Sequence, residues 1–148
     1  MDINAETKVL GLLGNPVEHS LSPFLHNGVF DKLGMNCLYL PFRVEGDSLE
    51  DAVKGLRGLN FAGANVTIPY KEAVIPYLDE LSPEASACGA VNVIKNRGGK
   101  LTGYNTDGAG FLMALHQENI DNYGRVLFIG AGGAARSLAV ALAGQGTS

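Results

Sequence analysis

Val9-Leu10-Gly11-Leu12-Leu13-Gly14-Asn15-Pro16 is a short apolar run that stops at a turn cluster, so it reads as a buried strand entering a loop. Beyond it, Ser22-Pro23 predicts a helix start, with serine as N-cap and proline at the first helical position. Phe24, Leu25, Val29, Phe30 and Leu33 then recur at helical spacing, and Gly34 stops the helix. Cys37–Phe42 is the next strand. Asp47 and Ser48 can cap a helix carrying Leu49, Ala52, Val53 and Leu56, which ends at Gly58, and Phe61–Val66 is a third strand. Such alternation implies right-handed crossovers and an α/β fold: a mixed, largely parallel sheet flanked by helices.

Helical patterns follow at Tyr70–Leu78 and Pro83–Cys88. Ala90–Lys95 and Lys100–Tyr104 form a hairpin pattern around Asn96-Arg97-Gly98-Gly99. Thr106 is placed to cap a helix running from Asp107 to Glu118. The polar segment Asn119–Arg125 divides the chain into residues 1–118 and residues 119–148. In the second part, Val126–Ile129 reads as a strand, the glycines after it as a tight turn, and Ala134–Ala143 as a helix.

The 148 residues suit one ordinary domain, and 46% hydrophobic with 18% charged residues is a globular composition. A net charge of −4 argues against nucleic acid or an anionic membrane as partner. Cys37 and Cys88 match no metal spacing and no disulfide framework, so they read as buried free thiols in a reducing compartment, with no metal site. The N-terminus lacks the basic and apolar parts of a secretory signal. Val126–Gly144 superficially resembles a membrane span, but its glycines and Arg136 argue against a lipid-facing helix. The expectation is a cytoplasmic protein without a membrane partner.

Several residues offer chemistry. With Pro69 in the first turn of a helix, Lys71 would feel the positive end of the helix dipole, which disfavours an ammonium. Asp107 opens another helix, where the dipole favours its carboxylate; if the two meet, dipole and burial oppose the aspartate in setting the lysine's proton affinity. Taken singly, Lys71 also reads as a solvated lysine and Asp107 as a helix-starting residue. Asn65 and Thr67 alternate at the end of a strand, where ligands of open α/β sheets sit. Asn92 adds a third polar group able to donate and accept, as ligand hydroxyls require. Turn and cap chemistry would explain the same residues. Ser20 and Ser22 flank Leu21 beside a helix start and could hold a carboxylate, although Ser22 alone is also an N-cap; His19 reads as structural. Gly130-Ala131-Gly132-Gly133-Ala134-Ala135 fits G-x-G-x-x-A between an apolar strand and a helix, the setting in which backbone approaches a pyrophosphate.

Gly14–Pro23, Gly63–Lys71, Gly89–Asn92, Asn105–Gly108 and Gly130–Ala134 resemble, in order and spacing, the motifs of the shikimate dehydrogenase family. The resemblance covers nearly the whole chain. It implies a shikimate-binding catalytic domain in residues 1–118 and, in residues 119–148, the truncated start of a Rossmann-type NADP-binding domain. It further implies an NADP-dependent oxidoreductase that reduces 3-dehydroshikimate to shikimate, on the way to chorismate and aromatic amino acids. By the same resemblance, Ser20 and Ser22 would hold the substrate carboxylate, and Asn65, Thr67, Asn92 and Asp107 the ring hydroxyls. Lys71 would be the general acid/base with Asp107 as its partner, and Gly130, Ala131, Gly132, Gly133 and Ala134 would receive NADP. The serine pair resembles shikimate-selective members more than relatives that use quinate. The family's adenosine-phosphate segment would begin past residue 148, so an isolated chain of this length is expected to be inactive. The alternatives are a non-catalytic shikimate-binding module and a quinate/shikimate dehydrogenase paralogue. An unpaired strand at Val126–Ile129 would invite a homodimer by edge pairing, or docking on its own substrate domain.

Overall fold

A computed structural model describes residues 3–145. Six strands form one sheet in the order β2-β1-β3-β5-β6-β4. They are β1 (Lys8–Gly14), β2 (Cys37–Arg43), β3 (Gly63–Val66), β4 (Glu80–Leu81), β5 (Val93–Arg97) and β6 (Lys100–Tyr104). The helices are α1 (Ser22–Lys32), α2 (Leu49–Gly58), α3 (Pro83–Cys88), α4 (Asp107–Gln117) and α5 (Gly133–Ala143). β2, β1 and β3 are parallel, as the strand–helix alternation requires, and β4 is parallel to β6. Only β5 runs against its neighbours. This reversal places the start of β5 at the same sheet edge as the ends of β1, β3 and β6.

The two sheet faces bury different things. Leu13, Val53, Leu56, Val66, Val74, Val91, Ile94 and Leu101 form the main core on the α2 side. Leu12, Val17, Phe30, Cys37 and Tyr39 form a smaller one under α1. Of the five apolar residues that suggested α1, only Phe30 is buried; Phe24, Leu25, Val29 and Leu33 face outward. The helix is held instead by Phe30 and by Asn27. The Asn27 amide donates to the Tyr39 carbonyl at 2.9 Å and accepts from its N–H at 2.8 Å, covering part of the edge of β2.

Local signals correct several boundaries. Gly34 ends α1 with φ +62° and a Met35 N–H to Phe30 carbonyl bond, as a C-terminal glycine should. α2 ends at Gly58, as the sequence predicts, although it is Asn60, with φ 52°, and not the glycine that takes the left-handed position. Ser22 is not an N-cap: Leu21 occupies that place, and no side chain caps α1. Ser48 and Thr106 likewise sit at N-cap positions without a capping bond. The hairpin loop is only Gly98-Gly99, both at positive φ, since Asn96 and Arg97 stay in β5.

Two predicted elements are absent. Tyr70–Leu78 is a run of turns with a 3-10 segment at Ile75–Tyr77, not an α-helix. The Lys71 carbonyl, which a helix would offer to residue 75, accepts from Val91 N–H at 2.7 Å. The Tyr70 hydroxyl is drawn inward to the Val44 carbonyl at 2.6 Å. Val126–Ile129 forms no strand; Leu127 and Ile129 are 86% and 96% exposed, without a neighbouring strand among the described residues. Cys37 and Cys88 are buried free thiols, and no described helix is long and apolar enough to cross a membrane.

Candidate functional site

The site gathers at the shared sheet edge. Thr67 follows β3, Asn105 to Asp107 follow β6, and Asn92 precedes the reversed strand β5. Ser20 comes from the loop after β1, and Ser22 is the first residue of α1. Lys71 Nζ lies 2.6 Å from Asp107 Oδ2, with the two side chains about a quarter exposed. The fold brings these residues together from 36 positions apart. Lys71 does not start a helix, so the dipole argument for its amine does not apply. Asp107 does open α4, and its backbone N–H donates to Asn105 Oδ1 at 3.0 Å.

Asn92 steadies the aspartate. Its amide donates to Asp107 Oδ1 at 2.7 Å and to Thr106 Oγ1 at 3.1 Å, while its carbonyl oxygen accepts from Thr106 N–H at 3.0 Å. Asp107 therefore meets the Lys71 amine on one oxygen and an amide on the other, an arrangement that fixes the direction of its carboxylate. Asn65 joins from β3: Nδ2 donates to the Asn92 carbonyl at 3.2 Å, and Oδ1 accepts from the Tyr39 hydroxyl at 2.8 Å. Burial pushes the Tyr39 phenol up to about 12, with the Ser22 hydroxyl bond pulling more weakly downward. Ser20 Oγ accepts from Ser22 N–H at 3.2 Å.

Thr67 and Lys71 line a cavity of about 430 Å³ together with Ile68, Pro69, Glu72 and the Gly132-Gly133-Ala134 end of α5. Asn65 lines a neighbouring groove with Gly63, Val93 and Thr106. Gly14 leaves room for Thr67, because a Cβ there would collide with its methyl group. Gly133 is required by close approach as well, since a Cβ would stand 2.9 Å from that of Ala90. Gly130 adopts φ +113°, and no atom would crowd a Cβ at Gly130 or Gly132, so this backbone is open to a ligand. Gly130 and Ala131 do not line the cavity; the Ala131 carbonyl accepts from Arg136 Nη1 at 3.0 Å.

Three residues were not singled out by the sequence reading. Tyr39 looked like one more strand residue. Arg136 looked like a helix cation, yet it donates to the Cys88 and Gly89 carbonyls and pairs with Glu72 at 2.9 Å. Ser137 is buried, donating to Asn105 Oδ1 at 2.7 Å and accepting from Gly108 N–H at 3.0 Å. A serine on the inward side of an otherwise apolar helix was the only available signal. Together, Arg136 and Ser137 fasten α5 beside Lys71 and Asp107.

The fold and this cluster define an α/β domain with a polar, charged cluster at its strand ends. Its family follows from comparison: the chain belongs to the shikimate dehydrogenase substrate binding domain family, whose model matches residues 12–94. It is 59% identical over 148 residues to the shikimate dehydrogenase (NADP(+)) of Syntrophomonas wolfei, covering 100% of this chain and 51% of that one. The chain thus spans about half the length of such relatives. The Thermus thermophilus shikimate 5-dehydrogenase, solved with NADP(H) and shikimate, superposes with a TM-score of 0.87 at 40% identity, over 95% of this chain and 53% of that one. The ligand-free 5-ketofructose reductase of a Gluconobacter species superposes at 0.89 with 35% identity, over 98% and 52%.

Proposed function

We propose that this chain is the substrate-binding part of an NADP-dependent shikimate dehydrogenase, in which Lys71 and Asp107 manage the proton at the reacting oxygen. The observation that carries the reading is the 2.6 Å contact between Lys71 Nζ and Asp107 Oδ2 beside the cavity that the α5 glycines also line. Ser20 and Ser22 offer hydroxyls to the substrate carboxylate; Asn65, Thr67 and Asn92 reach its ring hydroxyls. In reduction of 3-dehydroshikimate, the Lys71 ammonium gives a proton to the carbonyl oxygen as it gains charge, and Asp107 keeps the amine aligned. In oxidation of shikimate the amine takes that proton back. The open backbone at Gly130 and Gly132 and the start of α5 fit a pyrophosphate, so Gly130 to Ala134 would hold NADP. NADPH, when bound, supplies the hydride, and the protein orients it. The division into residues 1–118 and 119–148 belongs to this reading and is supported by the irregular stretch between α4 and α5.

In a polypeptide of the relatives' full length, Lys71→Ala should lower kcat by about 10²–10⁴, the usual worth of acid–base help, with shikimate affinity changed little. Turnover close to that of the parent would remove Lys71 from its role. The 148-residue chain alone should bind shikimate without oxidising it. Because 5-ketofructose reductase shares the scaffold, the titration includes quinate and 5-ketofructose; tighter binding of either would replace the assigned substrate.

A further inference from the structure

Asn65 can serve a ligand only if its amide is held one way round. Its Nδ2 faces the Asn92 carbonyl at 3.2 Å, an acceptor that demands a donor. This leaves Oδ1 turned toward β2, where the Tyr39 phenol meets it at 2.8 Å. Tyr39 pairs with Leu10 and Asn65 with Leu12, so the phenol crosses over β1 from one flanking strand to the other. Tyr39 is itself over-determined. It is 1% exposed, its ring stacks on His26 with centroids 4.4 Å apart, and Asn27 holds both of its backbone groups. A burial so complete favours the neutral phenol, which is the form that can donate to Asn65.

A continuous polar chain therefore runs from Tyr39 through Asn65 and Asn92 to Asp107 and Lys71. Tyr39 is its one member with no exposed surface to offer a ligand. We propose that Tyr39 is a positioning residue for the substrate site: its phenol fixes the Asn65 amide so that the remaining Nδ2 hydrogen points to a ligand oxygen. The inference rests on the assigned shikimate site, but its structural part stands without it. Without the phenol, Asn65 Oδ1 loses its donor, and only the longer bond from Nδ2 to the Asn92 main-chain carbonyl is left to hold the amide.

The test is Tyr39→Phe, which keeps the ring and its stacking on His26. In a ¹⁵N-labelled chain, the Asn65 side-chain amide signals of the wild type should be resolved and shielded from exchange, and those of Tyr39→Phe should shift and exchange faster. Shikimate binding should weaken about 2- to 10-fold, the worth of one hydrogen bond. Asn65→Ala and the double variant complete a cycle, and the two losses should be strongly non-additive. Additive losses, or an unchanged Asn65 amide in Tyr39→Phe, would overturn the proposal. If the wild-type chain binds no shikimate while the Asn65 signals still move, the substrate assignment falls and the positioning role of Tyr39 stands. Should Tyr39→Phe fail to fold, Tyr39→Met in the same cycle removes the donor while keeping an apolar side chain; loss of Asn65 order there would support the proposal and retention would sink it.

Discussion

β3 and the segment Val126–Ile129 are the same kind of sequence: a few apolar residues that lead into a turn suited to a ligand. One is a strand and the other is not. Gly63–Val66 lies between β1 and β5, with register partners on each side, and Ala64 and Val66 are buried. Val126–Ile129 has no strand beside it among the described residues and leaves Leu127 and Ile129 almost fully exposed. A strand is made by its neighbours, because its backbone donors and acceptors are satisfied between chains and not along one. The helix after the second segment tells the converse story. α5 forms and docks without a strand before it, since helical hydrogen bonds are internal and Arg136 and Ser137 supply the anchors.

This contrast can be broken by substitution, and the largest effect belongs to the sheet. Ile94 is buried to 1% on β5 and pairs with Ala64, so Ile94→Ala should cost about 2–5 kcal/mol in urea unfolding. Gly63→Ala should cost about 1–3 kcal/mol, because its Cβ would collide with the Ile94 carbonyl oxygen and push β3 from β5. A neutral result at either position would mean that β3 is not clamped as described. Ser137→Ala tests the anchoring of α5. It leaves Gly108 N–H buried without its acceptor, costing up to about 1–3 kcal/mol, and amide exchange should quicken at Gly108 ahead of the sheet. Ile129→Ser should change stability by no more than about 0.5 kcal/mol. A larger loss, or the disappearance of a dimer in sedimentation, would show that Val126–Ile129 pairs in solution after all.

Much of the site was readable before any coordinates. The sequence offers Ser20, Ser22, Asn65, Thr67, Lys71, Asn92 and Asp107 as candidates, and their loop and strand-end positions are legible for all but Lys71, which starts no helix, and Asn92, whose place depends on the reversal of β5. The reason offered for Lys71 was wrong, because a helix at Tyr70–Leu78 is locally plausible and only Val91 claims the carbonyl that it needs. The apolar residues of α1 suggested a buried stripe, whereas the helix is held through Phe30 and an asparagine.

What the sequence determined by itself was periodic and local: alternation of strands and helices, the glycine that ends α1, the glycine pair that turns the hairpin, and the inventory of groups at the site. These depend on neighbours a few residues away, where sterics and hydrogen bonding act directly. The tertiary structure alone decided that Lys71 meets Asp107, that β5 runs backward to bring Asn92 beside them, and that Tyr39 reaches over β1 to Asn65. Those contacts join residues 26 to 36 positions apart, or depend on a reversal of strand direction, and no local preference specifies either. They come from which faces must be buried together and which polar groups must then find partners.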